Sequence, residues 1–293
     1  MGKLLAQAYP EAQRTFAEAD DALGFPVSRL CFEGPDEELK KTENTQPALL
    51  AVSVAAERVL HTRNLQPGLV AGHSLGEYSA LVAAGTLAFA DALRLVRKRG
   101  RYMQEAVPAG TGAMAAILKL PEGQLERVLA EAAENEVVSA ANFNSPEQVV
   151  IAGHVSAVER AMQLAKAAGA RRSVRLPVSA PFHCPLMRPA QQRLESDLNA
   201  TEFSDPAIPL INNWQGRRIT TGEEARNGLY EQIPNPVRWT ETIREMAHSG
   251  IRRFVEVGAG SVLLGLLRNI DPSLRGTKFG GPEDMEQLEA LSS

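Results

Sequence analysis

The sequence has no run of apolar residues approaching the roughly 20 needed to cross a bilayer. Its opening Met1-Gly2-Lys3-Leu4-Leu5-Ala6 meets polar residues too soon for a secretory signal, and Ala6 stands where a myristoylation signal carries Ser or Thr. No membrane partner is expected. Cysteine is scarce: Cys31 and Cys184 are the only two and lie far apart, which excludes a disulfide framework and points to a reduced, cytoplasmic protein. Basic residues are not in excess. Lys and Arg number 31 against 35 Asp and Glu, a net charge of −4, so no nucleic-acid partner is expected. Long repeats and low-complexity linkers are absent as well. What is present is ordinary: 44% hydrophobic and 23% charged residues over 293 positions, enough for one large domain or two smaller ones.

The chain is organised around Leu69-Val70-Ala71-Gly72-His73-Ser74-Leu75-Gly76-Glu77. An apolar run enters Gly-x-Ser-x-Gly, and an Ala-rich helical stretch, Tyr78 to Ala84, leaves it. Strand, sharp turn and helix are the setting of a nucleophile elbow. The expectation is that Ser74 projects from the turn, that Gly72 and Gly76 keep side chains out of it, and that the free Leu75 N–H points at whatever Ser74 attacks.

Helical spacing covers residues 1–23, with Gly24 as a stop. Glu33 to Asn44 reads as charged and turn-like. A helix then runs from a Thr45 cap, with Pro47 in its first turn, to about His61, and another spans Phe89 to Val107. From Gly112 the texture changes. Strand 113–120, helix 121–134, strands 137–143 and 148–152, helix 156–168 and strand 171–176 give the order β-α-β-β-α-β of a ferredoxin-like unit. Residues 109–177 therefore read as a small subdomain inserted into a larger α/β domain formed by 1–108 and 178–293. The large domain continues with helix 186–199, strand 208–214, helices 222–232 and 237–249, strand 253–257 and helix 261–270, with a short helix over 284–291.

A nucleophilic serine needs a base. Of five histidines, His61 and His248 lie near helix ends, His154 follows a strand, and His73 adjoins the serine too closely. His183 stands in a Pro-bounded loop, Val178-Ser179-Ala180-Pro181-Phe182-His183-Cys184-Pro185, where the chain re-enters the large domain. No acid stands out between Ser74 and His183, unlike the Ser-Asp/Glu-His order of standard hydrolases, so a neutral acceptor such as a backbone carbonyl could orient the imidazole. Arg99 belongs to a basic helix face with Arg94, Arg97, Lys98 and Arg101. Such a face is commonly solvated, but a buried arginine there would offer a planar fork to a substrate carboxylate. Gly258-Ala259-Gly260 fails as a dinucleotide fingerprint on the spacing to Gly265.

Together Thr42 to Ala48, Gly72 to Tyr78, Arg99 to Gln104, Asn142 to Pro146, Pro181 to Met187, Asn235 to Trp239 and Glu256 to Gly260 resemble the malonyl-CoA:acyl carrier protein transacylases of fatty-acid synthesis, over nearly the whole chain. The resemblance implies an α/β hydrolase-like parallel-sheet large domain with a ferredoxin-like insert. It implies Ser74 as the acylated nucleophile, His183 as the base, Arg99 as the partner of the malonyl carboxylate and the main-chain carbonyl of Gln232 as the group orienting His183. Leu75, Phe182 and Asn142 are expected to line the substrate site. Malonyl-CoA and acyl carrier protein would be substrates, with coenzyme A and phosphopantetheine as their thiol carriers, no bound cofactor, no metal and a monomeric enzyme. Members of the family usually begin with a strand and a Gly-Gln-Gly-Ser-Gln loop that helps the oxyanion hole. No Gly-Gln-Gly occurs in this sequence, so it resembles a shortened member. Two other readings stay open: a thioesterase or other hydrolase on the same elbow, and a non-catalytic module that binds acyl carriers.

Overall fold

A computed structural model describes residues 1–178 and 180–292. Ser179 of the re-entry loop lies outside the described residues. The N-terminal helix divides into α1 (Lys3–Ala8) and α2 (Pro10–Leu23). Proline has no N–H to donate and disfavours helical backbone in the residue before it, and Tyr9 is accordingly extended. Helix α3 (Val27–Glu33) follows, and the stretch read as turn-like holds one short helix, α4 (Asp36–Leu39). Helix α5 (Thr42–Thr62) begins before the expected cap. Thr45 is inside it, its hydroxyl donating to the Leu39 carbonyl at 2.5 Å and the Lys41 carbonyl at 3.1 Å.

The elbow helix α6 (Gly76–Ala83) and α7 (Phe89–Glu105) follow. Helix α7 lies so close to the start of α5 that a Cβ on Gly100 would stand 2.5 Å from the Thr42 carbonyl oxygen. This close approach brings Arg99 of α7 against Gln46 of α5.

Next come β1 (Gly112–Leu118), α8 (Leu125–Ala133), β2 (Val138–Ser145), β3 (Gln148–His154), α9 (Val155–Ala167) and β4 (Arg172–Arg175), whose antiparallel sheet has the order β2-β3-β1-β4. The period-2 alternation of β1 explains both of its faces. Ala113, Ala115 and Ile117 pack under the two helices with Val128, Ala132, Ala161 and Ala165. Met114 and Ala116 face the other way, against Cys184 and Phe182 of the loop that carries His183. A Cβ on Gly112 would sit 2.3 Å from the Pro181 ring, so the loop packs directly on the start of β1.

The chain continues through α10 (Arg188–Asn199), β5 (Leu210–Ile211), β6 (Arg218–Ile219), α11 (Gly222–Gln232), α12 (Trp239–His248), β7 (Arg253–Val257), α13 (Val262–Ile270), β8 (Arg275–Phe279) and α14 (Met285–Ser292). β7 and β8 pair in parallel, and Val70 makes a parallel bridge to Leu210. This is the mixed α/β architecture expected of a hydrolase-like fold. The strand expected over 208–214 is only two residues long. Asn212 ends it by accepting the Gln215 N–H on its side chain at 3.2 Å, an Asx-type turn that sends the chain back as β6. Val237, just before α12, meets β2 through Phe143 N–H to Val237 O and Val237 N–H to Ala141 O, both 2.9 Å.

Candidate active site

The elbow is held under backbone strain. Ser74 has φ 52°, the left-handed region that a non-glycine residue enters at a cost of about 1–3 kcal/mol. A Cβ on Gly72 would lie 1.9 Å from the Gly76 carbonyl oxygen, so only glycine fits there. Gly76 does not share that constraint: a Cβ there would meet nothing within 4 Å, contrary to the expectation that both glycines clear the turn. The strained turn is fastened from outside. Asn213, in the turn after β5, accepts the Ser74 N–H at 2.6 Å and donates to the Gly72 carbonyl at 2.7 Å. The Gly76 N–H bonds to His73 O and the Glu77 N–H to Ser74 O, whereas the Leu75 N–H has no acceptor among the described residues. It is the free donor beside the serine.

His183 meets Ser74 across 109 residues of sequence, with Nε2 and Oγ 2.7 Å apart. It too has positive φ, 59°. Its Nδ1 is 2.9 Å from the main-chain oxygen of Gln232, the last residue of α11, which requires Nδ1 to carry the proton and leaves Nε2 as acceptor for the serine hydroxyl. The imidazole is 3% exposed. Burial, reinforced by the positive charge of Arg99, pushes its pKa down to about 3, so it is neutral at rest.

Arg99 is 2% exposed. Its Nη1 donates to Gln46 Oε1 at 2.7 Å, and its Nη2 to Gln232 Oε1 at 2.7 Å and to Ser74 Oγ at 3.1 Å. All three acceptors are neutral. Among the described residues no carboxylate forms an ion pair with Arg99, and its Nε has no partner. No carboxylate among them contacts this buried cation directly, although Glu77 beneath it lies close enough to act on it electrostatically, and an incoming carboxylate would supply the contact it lacks. Beneath this layer is Glu77, fully buried, whose Oε2 accepts from Gln232 Nε2 at 2.8 Å and from the Asn213 N–H at 3.0 Å. Burial raises its carboxyl pKa to about 7.

Ser74, His183, Arg99, Gln232 and Leu75 thus converge. Phe182 is half-buried beside His183 and packs against two hydrophobic clusters, the large one under the elbow and the one on the outer face of β1. Asn142 is 7% exposed on β2 and bridges to Val237. The contact from the insert to the elbow comes instead from Asn144, whose Oδ1 is 2.8 Å from His73 Nε2. Arg171, Arg172 and Arg175 are exposed, the last paired with Glu159. Nothing in the sequence alone marks Gln46, Glu77 or Asn213 for a role at this site. No group of three or more metal-ligating side chains occurs among the described residues.

The acyl transferase domain family matches residues 1–275. The chain is 50% identical over 282 residues to the malonyl CoA-acyl carrier protein transacylase of Escherichia coli strain K12, covering 96% of this chain and 91% of that one. It is similar to the crystal structure of an acyl carrier protein S-malonyltransferase from Vibrio cholerae, at 47% identity and TM-score 0.96, covering 98% and 94% of the two chains. A malonyl-transacylase in complex with its type II polyketide acyl-carrier protein is similar at 47% identity and TM-score 0.95, over 98% and 93%.

Proposed function

The chain belongs to the acyl transferase domain family, and we propose that it moves a malonyl group from coenzyme A to the phosphopantetheine thiol of an acyl carrier protein through a malonyl-serine. The observation that carries this reading is Arg99, a buried guanidinium that makes no direct ion pair among the described residues and stands 3.1 Å from the nucleophile. It fits an acyl group that ends in a carboxylate, and the names of the relatives support the same substrate.

In the first half-reaction His183 Nε2 takes the Ser74 proton as Oγ attacks the thioester carbonyl. The tetrahedral oxyanion faces the Leu75 N–H. Collapse breaks the C–S bond, and the proton on His183 passes to the departing coenzyme A thiolate. In the second, Nε2 takes the proton of the carrier thiol, whose sulfur attacks the malonyl ester, and Ser74 leaves with that proton. The Gln232 carbonyl holds Nδ1–H throughout, which fixes the tautomer without a third ionised group. Arg99 holds the malonyl carboxylate, and Phe182 and Asn142 are assigned to the acyl pocket. The same reading treats 109–177 as a subdomain inserted between 1–108 and 178–293. It has a monomeric enzyme work in the cytoplasm on these two substrates, with no resident cofactor, nucleic acid or membrane.

Intact mass after mixing with malonyl-CoA tests it. A malonyl adduct that disappears in Ser74→Ala and transfers to holo carrier protein is expected. Release of free malonate without transfer would favour a hydrolase, and no adduct under any condition would sink both enzymatic readings in favour of a binding module.

A further inference from the structure

The Glu77 side chain touches none of the groups that do the chemistry, yet two of its hydrogen bonds lead into them. Its Oε2 takes both donors, Gln232 Nε2 and the Asn213 N–H, while Oε1 has no partner among the described residues. The Gln232 amide can work in one sense only. Its NH2 must face Glu77 and the Ser74 carbonyl, the latter at 3.0 Å, so its oxygen must face Arg99. Reversed, NH2 would meet guanidinium, donor against donor. The same residue's main-chain oxygen holds His183, and the Asn213 side chain fastens the Ser74 turn. One carboxyl oxygen therefore ties α6, α11 and the turn after β5 together beneath the site.

We propose that Glu77 is a positioning residue: its Oε2 sets the polarity of the Gln232 amide, and through that amide the placement of the Arg99 fork, so that it governs the preference for carboxylated acyl groups without touching them. This rests on the reading of Arg99 as the carboxylate's partner. The working feature is an acceptor oxygen at one place, and Oε2 accepts whether the group is a carboxylate or a neutral acid with its proton on Oε1. The alternative is that Glu77 only complements the positive end of α6, as acidic residues in a first helical turn do. The two ideas make opposite predictions. Glu77→Gln loses the charge but can present its amide oxygen where Oε2 stands. Glu77→Asp keeps the charge at the helix start but withdraws the acceptor by one methylene.

The experiment compares kcat/KM for malonyl-CoA and acetyl-CoA, per serine that can be acylated, in wild type, Glu77→Gln, Glu77→Asp and Arg99→Ala. It also follows the Gln232 side-chain amide by 15N–1H NMR. Expected are a malonyl-to-acetyl ratio within about threefold of wild type in Glu77→Gln and a ratio at least about tenfold lower in Glu77→Asp, the loss of one hydrogen bond to a charged group. The amide resonance should stay in place in the first and move in the second. Equal loss toward both thioesters, or a ratio kept by Asp and lost by Gln, overturns the proposal. If Arg99→Ala leaves the ratio unchanged, the carboxylate reading itself has failed. The amide resonance then decides alone whether Glu77 orients Gln232, and a resonance unmoved in Glu77→Asp overturns that too.

Discussion

Replacing Arg99 by alanine should remove the preference for malonyl over acetyl thioesters. The guanidinium is 2% exposed and its three acceptors are two amide oxygens and the Ser74 hydroxyl. A substrate carboxylate would be its first direct ion pair, the buried Glu77 acting on it only from a distance. A charge-assisted hydrogen bond contributes about 1.5–3 kcal/mol, and removing one side of a buried pair costs about 3–5 kcal/mol. At about 1.4 kcal/mol per decade, kcat/KM for malonyl-CoA should fall by at least about 100-fold. An acetyl group has no carboxylate. Its reaction loses the contact from Nη2 to Ser74 Oγ, worth about 1 kcal/mol or about fivefold, while the freed Gln46 and Gln232 amides affect both thioesters alike. The ratio should therefore narrow by about twentyfold or more. Arg99→Lys should fall between, because one ammonium cannot span Gln46 and Gln232 as the planar fork does. The assay is transfer to holo carrier protein with each thioester, normalised to serine that can be acylated. Parallel loss toward both thioesters, with the ratio changed by less than about twofold, would refute the carboxylate role.

Three further outcomes follow from the same geometry. Gly72→Ala should destabilise by about 3 kcal/mol or more, since its Cβ would meet backbone at 1.9 Å, while Gly76→Ala, open to 4 Å, should be neutral or slightly stabilising; urea unfolding that ranks them otherwise contradicts the elbow packing. Gln46→Glu should give Arg99 an internal carboxylate at the present 2.7 Å contact and raise KM for malonyl-CoA by about tenfold or more, which steady-state kinetics would show; an unchanged KM counts against the site. Glu77 has its carboxyl pKa raised from 4.5 to about 7, so its contribution to stability is full below the unfolded value and is lost as pH rises through the folded one. Relative to Glu77→Gln, wild type should lose roughly 3 kcal/mol between pH 4.5 and 7, and a difference that stays flat with pH would refute the burial argument. The depressed pKa of His183 acts in the opposite sense, removing stability as pH falls from 6.5 toward 3, and cancels in that comparison because both proteins carry it.

The elbow and the insert were legible because each is written in contiguous residues: a Gly-x-Ser-x-Gly between apolar run and helix, and a regular succession of strands and helices over 112–175. The break at Tyr9 was missed, because the apolar spacing runs straight across the Pro10 that makes it. Strand 208–214 was overread because a turn made by the Asn212 side chain has no apolar signal. Helical periodicity supports the choice of Arg99 among its basic neighbours. On a 3.6-residue period it shares a face with Leu95, Val96 and Met103, all buried, whereas Lys98 and Arg101 point outward.

The supporting residues obey a different rule. Gln46, Glu77 and Asn213 are ordinary polar side chains, and their meaning lies in partners 53, 155 and 139 positions away. Chemistry marks Ser74, His183 and Arg99 as candidates before any fold is known, because few side chains can serve as nucleophile, base or carboxylate fork. An amide oxygen that must face a guanidinium can be supplied by any asparagine or glutamine that the fold happens to bring there. Such residues are identified by hydrogen-bond polarity: each buried donor needs an acceptor, and each satisfied amide dictates the sense of the next. Read that way, Arg99 fixes which end of Gln232 faces it, Gln232 fixes which atom of residue 77 must accept, and the requirement at position 77 becomes an oxygen rather than a charge.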